Sequence, residues 1–117
     1  MRDSQSILLN NYQKRYYAYK NANIINAYSI CSKTSLNCAG GPTPWNTWLS
    51  CEEHEKGFTW ECDPYGKKKP IKIPSLGMFV HEAAAVDPKT SIIYQTEDTY
   101  KSGFYRFILA WMALLGI

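Results

Sequence analysis

The densest run of side chains capable of chemistry is Cys51-Glu52-Glu53-His54-Glu55, which follows the strand-like Trp48–Ser50. Two further acidic pairs come later, His81-Glu82 and Glu97-Asp98. Carboxylates and a thiolate at strand ends converge where strands pack side by side. Several oxygen ligands suit a hard ion such as Ca²⁺, and a thiolate suits iron, zinc or copper. Alternation along a strand points Cys51 and Glu53 to one face and Glu52 to the other. Cys51 and Glu52 therefore share a site only at a bulge or a strand end. Each group also has a plainer reading. Acidic residues after a strand mostly line solvated loops, and a Cys among aromatics is mostly a small core residue. His54 and His81 serve equally well as surface or hydrogen-bonded structural histidines. Lys67-Lys68-Lys69 reads as a solvated turn tip, with attraction of an anionic substrate as the alternative. Trp45 and Trp48 either pack or stack on a ligand.

The elements that must position these groups are short. Gly and Pro recur densely from Gly40-Gly41-Pro42 to Gly103, and strand-like runs lie between them. Thr47–Cys51 and Phe58–Cys62 read as strands joined by a hairpin loop, with Phe58, Trp60 and Cys62 on one face. Met78–Val86, Ser91–Thr96 and Gly103–Phe107 follow. Asp87-Pro88-Lys89-Thr90 reads as a type I turn, and Asp63 and Asp87 are assigned to turns. Strands at this spacing predict an all-β fold: a meander, sandwich, barrel or propeller blade. Residues 1–36 form a leader, irregular or partly helical over Leu8–Tyr28, and residues 108–117 an uncharged apolar tail suited to self-association.

Composition narrows the function classes. Charged residues make up 20% and hydrophobic residues 45% of 117 positions, a globular balance. A net charge of +3 is too mild to point to nucleic acid. The longest apolar run, Phe107–Ile117, falls short of the roughly 20 residues of a membrane-spanning helix. None of the four cysteines forms a CxxC pair, so the usual structural zinc pattern is absent, and two disulfides are arithmetically possible.

The run Asn37-Cys38-Ala39-Gly40-Gly41-Pro42-Thr43-Pro44-Trp45-Asn46-Thr47-Trp48-Leu49-Ser50-Cys51-Glu52-Glu53 closely resembles the signature of the PhoX-type alkaline phosphatases. Leu76–Pro88, Thr96-Glu97-Asp98 and Ser102–Phe107 resemble the blocks that follow it. The resemblance covers Asn37–Phe107 and implies a β-propeller with metals near its axis. It also implies hydrolysis of phosphate monoesters on a cluster of iron and calcium, and export by the twin-arginine route. Carried over by motif position, Cys51 is the iron thiolate ligand, and Glu52 and Glu82 are carboxylate ligands. Glu53, Glu97 and Asp98 are further candidates, as ligands or as carboxylates supporting them. Asn46 replaces the usual Gly after Pro-Trp but keeps a residue tolerant of positive φ.

About four or five strands are recognisable, little more than one blade of a propeller that needs four to eight. The expectation is thus a truncated phosphatase domain with no export signal in front of it, inactive alone. The alternative is a small non-catalytic β module that associates through strand edges or its apolar tail.

Overall fold

The structure, a computed structural model, describes residues 6–10, 15–20 and 23–108. It is all-β, as composition predicts, with ten strands among the described residues. They are β1 (Ser6–Asn10), β2 (Arg15–Lys20), β3 (Asn23–Ser29), β4 (Asn37–Pro42), β5 (Trp48–Glu52), β6 (Thr59–Cys62), β7 (Ile71–Lys72), β8 (His81–Val86), β9 (Ile93–Glu97) and β10 (Phe104–Phe107). A 3₁₀ turn, Pro74–Leu76, separates β7 from β8. The strands form three antiparallel meanders, β1-β2-β3, β4-β5-β6-β7 and β8-β9-β10. No described helix is long and apolar enough to cross a membrane. The tail beyond Ile108 lies outside the described residues.

Two expectations need correction. The leader is not helical where it is described: it pairs as β1-β2-β3, with Ser6 opposite Tyr19 and Tyr16 opposite Tyr28. Its Tyr and Ile residues suit a pleated sheet, but Asn rather than Gly or Pro punctuates them, so the hairpin signal was weak. Gly40-Gly41-Pro42, read as loop punctuation, lies instead in β4, paired through Gly40–Ser50 and Pro42–Trp48. With β7 also unforeseen, residues 37–107 hold seven strands, β4 to β10, rather than four or five.

The middle sheet is covered on both faces, which follows from its register. Leu49 and Cys51 alternate with Trp48 and Ser50 along β5, and their partners on β6 are Glu61, Thr59, Cys62 and Trp60. On one face, Leu49 and Cys51 join Ile73, Leu76, Ala84 and Ile93 in an apolar cluster against the third sheet. Leu49 is fully buried, worth about 1.5–3 kcal/mol by area. On the other face, Ile30, Cys31 and Cys62 cluster with Tyr28, Trp48 and Trp60 packed around them. Cys31 and Cys62 are disulfide-bonded, with Cα atoms 5.9 Å apart, and Cys38 and Cys51 are free.

The third sheet lies against the second through β4 and β8. A methyl group built on Gly41 would overlap the carbonyl oxygen of Ala84, and one on Gly40 would overlap that of Leu49. The two glycines are there because backbone presses on backbone, not because the chain turns. Asn46 does turn the chain, with φ at 64°, as its side chain allows. The turns predicted at Asp63 and Asp87 form too. Asp63 accepts from the N–H groups of Tyr65, Lys67 and Lys68 at 3.0 Å each, and Asp87 from Lys89 N–H and the Thr90 hydroxyl.

Two outcomes follow from these contacts. Gly41→Ala should cost about 1–3 kcal/mol, the usual penalty for overpacking. A urea midpoint equal to wild type would show that β4 does not press on β8. Asp63 is pushed up by its partial burial but held below its ordinary value by the three N–H donors and Lys68. Stability from such a group is present above the unfolded pKa and lost as pH falls through the lower folded one. Asp63→Ala should therefore cost about 1–2 kcal/mol at neutral pH, with the gap closing in acid. A gap that stays constant from neutral to acid pH would rule out this role.

Candidate metal centre

The register irregularities of the two facing strands carry the chemistry. In β4 the pairing with β5 slips between Asn37 and Gly40, and in β8 the pairing with β9 slips between His81 and Ala84. Cys38 and Glu82 are the residues that occupy those slips, and a bulge re-aims the side chain it contains. Glu53 lies just beyond β5, where it forms an isolated bridge with Val80, immediately before β8.

These placements bring three donors together. The ligand atoms of Cys38, Glu53 and Glu82 all lie within 4.8 Å of one another, the one such group among the described residues. All three side chains are half-buried. The Cys38 thiol donates to Glu82 Oε1 at 3.3 Å. Burial first, then the carboxylates of Glu53 and Glu82, push that thiol up to about 12. Two carboxylates and a thiol in one half-buried spot repel as they ionise, and a cation relieves that repulsion. The donor set fits a metal: oxygen for a hard ion, sulfur for a softer one.

The other predicted site residues lie elsewhere. Cys51 is fully buried in the apolar cluster, its sulfur 3.9 Å from the Thr59 hydroxyl, and burial lifts its thiol to about 12. Glu52 is buried with its oxygens already engaged: Oε1 accepts from Ser35 N–H at 2.9 Å and Oε2 from Phe58 N–H at 3.0 Å. Burial raises the Glu52 carboxyl, but these donors and His54, 3.8 Å away, bring it below its ordinary value. Glu97 Oε2 accepts from Gly103 N–H and the Tyr105 hydroxyl, bracing the β9–β10 loop. Asp98 is exposed, and its N–H donates to Val80.

Both histidines have structural partners. His81 is fully buried, stacked on Phe79 with ring centroids 3.6 Å apart. Its Nε2 lies 3.2 Å from the Gly77 carbonyl and its Nδ1 3.2 Å from the Thr59 hydroxyl. His54 Nε2 lies 3.1 Å from the Ser35 hydroxyl.

Cys38 is the residue that reasoning from sequence passed over. It stands in the quoted run, but motif position in the resemblance gives the thiolate role to Cys51. The available signal was the Gly40-Gly41 pair behind Cys38, which marks close backbone approach.

The family model described as Alkaline phosphatase PhoX matches residues 19–60 and 54–111. No curated protein and no solved structure matches the chain. The matched span starts upstream of Asn37 and passes Phe107, so it takes in β3, the whole middle sheet and the third sheet. Both bulged strands and all three donors fall within it, and the chain belongs to the PhoX alkaline phosphatase family.

Proposed function

We propose that this chain carries part of the metal centre of a phosphomonoester hydrolase, with Cys38, Glu53 and Glu82 as its ligands. The observation that carries the reading is the convergence of those three donors from two sheets. A thiolate beside carboxylates suits a mixed centre, with iron at the sulfur and calcium at the oxygens. Such ions, when bound, polarise a phosphoryl oxygen and offset the charge that develops on it. The protein's own part is to hold the thiolate and two carboxylates on neighbouring strands. Glu52, Glu97 and Asp98 support the site through the loops they brace, and Cys51 through the core beneath it.

The architecture proposed for the intact enzyme is a propeller. Two features support it: successive antiparallel meanders, and contact between the first strands of the second and third. Propeller blades are four-stranded sheets set around a central channel. The third sheet has three described strands, and its Phe104, stacked with Tyr94 at 5.9 Å, is 73% exposed. In the propeller a further sheet covers that face. Three ligands from two sheets make an arc of a ring, so the isolated chain is proposed to have no turnover.

The test is Co²⁺ titration of the purified chain, read from thiolate-to-metal absorption. Wild type and Cys51→Ser should both show the band, while Cys38→Ser should lose it and Glu82→Gln should bind at least tenfold more weakly. A band that survives Cys38→Ser, or vanishes in a folded Cys51→Ser, would overturn the ligand assignment. Metal-dependent hydrolysis of p-nitrophenyl phosphate by the isolated chain would overturn the proposed inactivity.

A further inference from the structure

The segment leading into β4 is tied down at every step. Cys31 is bonded to Cys62 on β6, beneath Trp48 and Trp60. The Thr34 hydroxyl sits 2.9 Å from both the Cys31 carbonyl and the Asn37 side-chain oxygen. Ser35 N–H donates to the buried Glu52 carboxylate, and Glu53 N–H donates to the Leu36 carbonyl at 2.8 Å. Asn37 Nδ2 donates to the Ser50 hydroxyl at 2.6 Å. Two of its residues, Lys33 at φ 69° and Leu36 at φ 44°, hold left-handed conformations costly for their side chains. A bulky, 70% exposed Leu keeps such a φ only where its surroundings impose it.

This strap ends on Cys38 and is bonded to the backbone of Glu53, so two of the three donors take their positions from it. We propose that the Cys31–Cys62 disulfide is a latch on the metal centre: metal bound at Cys38, Glu53 and Glu82 and the intact disulfide stabilise each other. This inference rests on the metal reading above. The coupling is thermodynamic and therefore reciprocal. Both sulfurs belong to nearly inaccessible residues, Cys31 at 2% and Cys62 at 0% exposure, so a reductant reaches them only when the strap lifts. Lifting breaks the Leu36–Glu53 bond and carries Cys38 away from Glu82. A metal that needs all three donors opposes that opening.

The experiment is reduction of the oxidised full chain by a water-soluble trialkylphosphine, with and without Co²⁺, followed by mass spectrometry after thiol alkylation. Phosphorus attacks one sulfur and the S–S bond breaks. Water then releases two thiols, and the phosphine leaves as its oxide. If opening and metal release are one event, Co²⁺ at about 100 times its Kd should slow reduction about 100-fold. Cys38→Ser, which keeps the disulfide, should be reduced at one rate with or without Co²⁺. In the reciprocal direction, Cys31→Ser with Cys62→Ser should bind Co²⁺ at least about fivefold more weakly. Equal reduction rates in a wild type shown to bind Co²⁺ would overturn the latch and leave the metal reading standing. Failure of the oxidised wild type to bind Co²⁺ would overturn both.

Discussion

The contact on which the rest depends is backbone against backbone, where β4 crosses β8. Gly41 admits the Ala84 carbonyl of β8 in a volume a methyl group would fill, and Gly40 admits the Leu49 carbonyl of β5 within its own sheet. That approach sets the distance between the second and third sheets, and it closes the apolar cluster of Leu49, Cys51, Ala84 and Ile93. It also sets how far Cys38 stands from Glu82. A methyl group on Gly41 would meet the Ala84 carbonyl and push β4 away from β8.

Given that contact, the two bulges do the aiming. A regular strand repeats every two residues, so the orientation of every side chain is dictated by its neighbours. A slip between Asn37 and Gly40 and another between His81 and Ala84 free Cys38 and Glu82 from that rule. Both slips fall at the same crossing of the two sheets. Ionising a thiol there costs free energy: burial first, and then the carboxylates of Glu53 and Glu82, raise Cys38. The fold withstands the cost because the surroundings are over-determined. Glu52 is clasped by two N–H donors, His81 and Thr59 by buried hydrogen bonds, and the strap by a disulfide.

Burial of polar groups has the same logic. Thr59, His81 and Gln95 lie deep between the sheets, and each has partners: Thr59 donates to Gln95 at 2.9 Å, and Gln95 donates to the Leu76 carbonyl at 3.1 Å. A satisfied network of this kind fixes register in a way an apolar core does not. It sits beside Glu82, where register decides whether a carboxylate reaches its neighbours.

The amino-acid order by itself determined the β character of residues 37–107, the turns at Asp63 and Asp87, the positive φ at Asn46 and the family. These are local properties: turn residues bond their own backbone, and aromatic alternation suits a pleat. Three matters were settled only in three dimensions. The leader's strands depend on mutual pairing, and β4 depends on a partner that tolerates its glycines. Which cysteine stands beside the carboxylates of Glu53 and Glu82, Cys38 and not Cys51, depends on which face each strand turns to its neighbour. Cys51 stands next to two glutamates in sequence, yet strand alternation sends it into the core and Glu52 to the opposite side. Cys38 stands far from Glu53 and Glu82 in sequence, and a bulge and a sheet crossing bring them together. Adjacency along a strand separates side chains, whereas adjacency across sheets unites them, and only the folded chain has the second kind.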